Sequence, residues 1–140
     1  MSKTGSIIIE TSFVNKENYL QIFNVLTNNG WSANRDNVIS FMVNGTYTWR
    51  TESYVNLNNV LEFISASIDN RLETNIDLGW ENTEIGLGLM YSKPNELIFL
   101  IAENILRLEH SGIADFSWYL GHIAPVFEIL QFNRIECNYS

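Results

Sequence analysis

Asn75-Ile-Asp-Leu-Gly-Trp80 and Glu84-Ile-Gly-Leu-Gly-Leu-Met-Tyr91, joined by Glu81-Asn82-Thr83, decide the fold. Both runs read as strands bounded by a polar turn, so they predict an antiparallel pair. In the second run Ile85, Leu87 and Leu89 alternate with Gly86, Gly88 and Met90. The two glycines leave one face bare, and a helix or another backbone is expected to pack close there.

Upstream, Leu57, Val60, Leu61, Ile64, Ile68 and Leu72 recur at helical spacing, while Asn59, Glu62, Asp69 and Asn70 fall off the stripe. That is an amphipathic helix over about 57–73, with Asn56 as its cap. Val38–Val43 and Thr46–Thr51 flank Asn44-Gly45, the dipeptide best suited to a two-residue hairpin turn. The register would set Phe41 opposite Thr48 and Ser40 opposite Trp49. Tyr19, Ile22, Phe23 and Leu26 form a helical stripe between a capping Asn15 and a stop at Asn29-Gly30, predicting a helix at 16–28. The β-branched run Ser6–Phe13 reads as a strand.

Downstream, Leu97, Ile98, Ile101, Ile105 and Leu108 keep helical spacing between Ser92/Pro94 and Gly112, which predicts a helix at 94–110. The apolar block Leu97–Ala102 taken alone would equally suit a buried strand. Residues 113–120 read as a strand, 125–132 as a short helix, and Arg134–Cys137 as a final strand. The fold class is therefore α+β: a mainly antiparallel sheet with helices packed on it. The element order is β-α-β-β-α-β, then β-α-β-α, and its first half has the order of a split βαβ unit.

At 140 residues the chain is long enough for one domain with its own core, and no linker or repeat divides it. Cys137 is the sole cysteine, which precludes an intrachain disulfide. With no signal-like leader and no apolar run of spanning length, a reduced, cytoplasmic protein is expected.

Charge is distributed unevenly. Between Glu73 and Asp115 lie eight acids (Glu73, Asp77, Glu81, Glu84, Glu96, Glu103, Glu109, Asp115) against Lys93 and Arg107, a net −6 of the chain's −8. Residues 1–72 are nearly balanced, with six acids and five bases. Such a field repels nucleic acid and speeds encounter with a basic protein. The arginines are scattered, so no basic stripe for nucleic acid exists.

Chemical motifs are few. His110, His122 and Cys137 lie at no zinc spacing, and no calcium loop is present. Gly86-Leu-Gly88-Leu-Met-Tyr91 has Tyr where a dinucleotide fingerprint needs its third glycine, and it sits inside a strand. Neither a cofactor nor a metal is expected. The pair Glu81 and Glu84, or His122, would be the acid–base candidates of a small α+β enzyme. An oligomeric subunit joined through Tyr47 and Trp49 is a further alternative.

The partner-binding candidates are Asp77, Trp80, Glu81 and Glu84 around one strand turn, with Asp115 and Tyr119 beside a second aromatic group. Tryptophan and tyrosine are favoured interface anchors, and neighbouring acids favour an Arg/Lys-rich partner. In a strand at 113–120, Asp115 and Tyr119 would share the exposed face and Trp118 would turn inward.

A small acidic α+β chain with these aromatics and no catalytic motif resembles the immunity proteins of bacterial polymorphic-toxin and contact-dependent inhibition systems. The segments that carry the resemblance are Glu84-Ile-Gly-Leu-Gly-Leu with a helix after it, and Asp115-Phe-Ser-Trp-Tyr-Leu-Gly. The resemblance implies a non-catalytic inhibitor that neutralises a cognate basic toxin domain, such as a nuclease. It transfers no binding residue.

Overall fold

Every strand pairing among the described residues is antiparallel. The computed structural model describes residues 4–43, 48–102 and 104–140. Among them are eight strands and three helices: β1 (Gly5–Glu10), α1 (Lys16–Thr27), β2 (Trp31–Ser32), β3 (Val38–Met42), β4 (Arg50–Ser53), α2 (Leu57–Asp69), β5 (Thr74–Trp80), β6 (Gly86–Lys93), β7 (Glu96–Ile101), α3 (Phe116–Ile123) and β8 (Arg134–Tyr139). Short 3-10 turns precede α2 and follow α3. The sheet runs β4-β3-β5-β6-β7-β1-β8, and β2 pairs with β5 off that path. This is the predicted α+β class. The split βαβ order is not kept: β2 adds a strand after α1, the second half runs β6-β7-α3-β8, and three strands separate β3 from β1 in the sheet.

One face of the sheet carries the core. Ile76, Leu89, Phe99 and Ile7 lie side by side across β5, β6, β7 and β1, and each is fully buried. The buried sides of α1 (Tyr19, Ile22, Phe23, Leu26) and α2 (Val60, Ile64, Ile68) join the same cluster. Burying such stripes against a sheet is what stabilises helices of this length in water. Tyr19 adds a directional tie, since its hydroxyl donates to the Leu89 carbonyl of the central strand at 2.6 Å. Asn15 caps α1 by accepting from the Asn18 N–H. Asn56 does not cap α2 in this way; its amide donates to Glu52 instead. Among the described residues, no helix is long and apolar enough to cross a membrane.

The structure corrects two element predictions. Residues 96–101 are not helix but β7, flanked by β6 and β1 in the middle of the sheet. Leu97, Phe99 and Ile101 are fully buried and Ile98 and Leu100 half-buried. A strand buried on both sides gives a continuous apolar run, and periodicity cannot separate that from a helix. Pro94 starts no helix; Pro94-Asn95 forms the tight connection between β6 and β7. Residues 116–123, in turn, are helix rather than strand. Asp115 is the N-cap, accepting from the Trp118 N–H at 3.2 Å, and Phe116, Tyr119 and Ile123 then fall on one face.

The β3–β4 ladder is displaced from the expected one. Phe41 faces Arg50 and Ser40 faces Thr51, two residues further along than a two-residue turn would give. A slip of two keeps every side chain on its face, so the apolar pattern does not distinguish the registers. The Asn44-Gly45 turn itself lies outside the described residues, as do Tyr47 and Glu103.

Candidate functional site

Two tight turns meet at one end of β5. The first joins β2 to β3 through Asp36 and Asn37, whose φ values of 56 and 65° are both left-handed. Arg35 and Val38 close it with reciprocal backbone hydrogen bonds of 3.0 and 3.1 Å. That is the hairpin geometry matching the natural twist of paired strands, and Asp and Asn tolerate it well. The second turn joins β5 to β6. Thr83 donates to the Trp80 carbonyl through both its N–H and its hydroxyl, and the Trp80 N–H reaches Ile85 O. Glu81 takes φ 41°, and its N–H donates to Gly30 O at 2.8 Å.

Arg35 ties the turns together. Its side chain crosses the open face of the sheet above Gly79 and Gly86. Nη1 donates to Asp77 Oδ2 (3.4 Å) and Leu78 O (3.3 Å), and Nη2 donates to Glu84 O (3.4 Å). The bare glycine face is thus filled by side chains, the folded-back Arg35 guanidinium over Gly86 and the Asn75 amide over Gly88, not by the helix or backbone expected. A Cβ on Gly79 would lie 2.7 Å from Arg35 Cδ, so the glycine makes room for the arginine. The Arg35 charge is turned inward, onto Asp77 and two carbonyls.

The outcome is an acidic rim. Asp36, Glu81 and Glu84 are exposed, and none of them takes part in a salt bridge among the described residues. With Asn34, Asn82 and Asn104 they border a polar groove of about 560 Å³. Asn104 braces it by donating to Glu84 O at 2.9 Å. Carboxylates on backbone-fixed turns are suited to charge-assisted, bidentate hydrogen bonds with arginine. Among the described residues, no three His, Cys, Asp or Glu side chains gather as a metal site.

The six predicted residues divide. Glu81 and Glu84 come together, joined by Asp36, which the sequence reading passed over. Asp77 lies behind them, held to Arg35 and facing a separate cavity. Trp80 is half-buried, its ring edge-on to Trp31 (5.3 Å), Trp118 (5.9 Å) and His122 (4.6 Å), so it supports the turn from beneath. Asp115 is engaged as the α3 cap. Tyr119 is not exposed: it is fully buried, and its hydroxyl accepts from the Leu106 N–H at 3.0 Å. Its burial and the partial exposure of Trp118 invert the expectation because the segment is helical, so alternation does not apply.

His122 belongs to the aromatic cluster. Its ring stacks on Trp118 at 3.9 Å, and Nδ1 lies 2.6 Å from Trp118 O, which can only accept, so Nδ1 carries a proton. Trp31, nearly fully buried, donates from its indole to His122 O at 2.8 Å. Asp36-Asn37 between Arg35 and the following strand was the signal available for the missed half of the rim. The chain matches no protein-family model, no curated protein and no solved structure.

Proposed function

We propose that the chain is a non-catalytic protein-binding module of the immunity-protein kind, which neutralises a basic toxin domain through the Asp36–Glu81–Glu84 rim. One observation carries the reading. The nearby cation, Arg35, is turned inward onto Asp77 and backbone carbonyls, leaving three carboxylates of two rigid turns exposed. A fixed acidic rim lowers the ordering cost of binding and steers a basic partner toward it. Of the other described acids in the 73–115 stretch, Glu73, Asp77, Glu96, Glu109 and Asp115 contribute to the long-range field but do not border the groove. Trp80 holds the turn in place from the aromatic cluster beneath.

Co-expression with the product of the adjacent upstream gene, as the candidate toxin, tests the proposal. A complex that survives purification at low ionic strength, and loses the toxin when Asp36, Glu81 and Glu84 are all replaced by Lys, is the expected result. Absence of a complex at low ionic strength, or a complex indifferent to the three reversals, refutes it.

A further inference from the structure

The face of the sheet opposite the core holds a second feature, independent of the acidic rim. Asn75 on β5 is 1% exposed, and neither its Oδ1 nor its Nδ2 has a hydrogen-bond partner among the described residues. Native structures contain few such groups, because an unpaired buried amide carries its full desolvation cost. The same residue borders a cavity of about 310 Å³, at the lower end of the range for small-molecule pockets, about 300–1,000 Å³.

The walls define what fits. Gly86 and Gly88 line the cavity, and the Asn75 amide packs against Gly88, where an added Cβ would lie 2.9 Å from Asn75 Oδ1. Leu100 and Ala102 supply apolar surface, and Trp49, 51% exposed, an aromatic wall. The charged group at the edge is Asp77, and no Lys or Arg borders the cavity among the described residues, which disfavours a phosphate or carboxylate.

We propose that this cavity binds a small, neutral, planar heterocycle with a lactam edge, an N–H beside a C=O, as in a pyrimidine base. The Asn75 amide is the complement of that edge: Nδ2–H donates to the ligand carbonyl, and Oδ1 accepts from the ligand N–H. The ring lies beside the Asn75 amide, with Trp49 against its face. Both polar atoms of Asn75 are closed to bulk water, so entry requires a wall to shift, and Trp49 is the large exposed side chain placed to do so.

Titration of the intact chain with uracil, followed by amide NMR, tests the site. Saturable shifts are expected at the Asn75 side-chain amide and the Gly88 N–H. N,N′-dimethyluracil, which has the ring but no N–H, should give neither. Asn75→Leu should weaken uracil binding by at least about tenfold while melting no lower than the parent, since it removes an unpartnered amide. No saturable shift with uracil, an equal response to the dimethyl derivative, or unchanged affinity in Asn75→Leu overturns the proposal; the cavity then holds water only. If Asn75→Leu does not fold, the two-ligand comparison on the parent chain decides.

Discussion

Three glycine-to-alanine changes separate two physical effects and test how Trp80 is held under the acidic turn. Gly121 lies within α3 with nothing within 4 Å of an added Cβ. Alanine there should stabilise by about 0.5–1 kcal/mol, through lower unfolded-state entropy. Gly112 also has open space, but its φ is +73°. Alanine there meets the left-handed penalty alone, about 1–2 kcal/mol. Gly30 has φ +104°, and an added Cβ would lie 2.5 Å from Trp80 Cζ3 and 2.6 Å from Cη2. Both distances are far inside contact, and the obstacle is a ring packed against Trp31, Trp118 and His122. Overpacking adds about 1–3 kcal/mol to the backbone strain, and displaced edge-to-face contacts add about 0.5–1.5 kcal/mol each. Gly30→Ala should therefore cost about 3–5 kcal/mol, lowering Tm by roughly 10–20 °C for a chain of this size. Thermal melts followed by tryptophan fluorescence would measure both the loss and the ring displacement. The reasoning fails if Gly30→Ala is no more destabilising than Gly112→Ala, because Trp80 would then not be packed beneath Gly30.

Two further outcomes follow from named contacts. Burial drives the Tyr19 phenol far above its ordinary value of 10.0 and also raises Tyr91 and Tyr119. The native state keeps protons that the unfolded chain gives up, so stability is full below pH about 10 and falls above it, by about 1.4 kcal/mol per pH unit for the fully buried Tyr19 phenol. Urea midpoints taken across alkaline pH should fall less steeply in Tyr19→Phe than in the parent; equal slopes would contradict the burial argument. Arg35→Met keeps an apolar stem over Gly79 but removes the bonds to Asp77, Leu78 O and Glu84 O, at a cost of about 1–3 kcal/mol. Amide exchange at Glu81–Ile85 should quicken in that variant, and unchanged exchange would mean that the guanidinium does not brace the turn.

How far the sequence carried the fold depended on how many independent signals each segment held. Lys16–Thr27 and Leu57–Asp69 combined an apolar stripe with cap or stop residues, and both form helices, the first close to its expected bounds and the second ending at Asp69 rather than at 73. The β5–β6 pair was fixed by alternation and a polar turn together. Leu97–Ala102 held only hydrophobicity, and its neighbours Ile105 and Leu108 extended a helical spacing across what is really a strand end. Asp115-Phe-Ser-Trp suffered the reverse: a genuine N-cap was passed over because β-favouring aromatics surrounded it. At the site, Glu81 and Glu84 were legible because chain proximity made them neighbours. Asp36 was not, because only the pairing of β2 and β3 with β5 brings it there. Nothing in a linear reading reveals that Arg35 folds inward and leaves the rim unneutralised.

The claim that the rim steers a basic partner is tested most directly by association kinetics with the captured toxin at varied ionic strength. Glu81→Lys with Glu84→Lys changes each position by two units and takes the net charge from −8 to −4. At an ionic strength of ~0.01 M, where the Debye length is ~30 Å, the double variant should associate at least about tenfold more slowly than the parent. Dissociation should change less, and the difference in association should close toward ~1 M salt, where the Debye length is ~3 Å. Equal association rates for the parent and the double variant at low salt would place the interface away from the Asp36–Glu81–Glu84 rim.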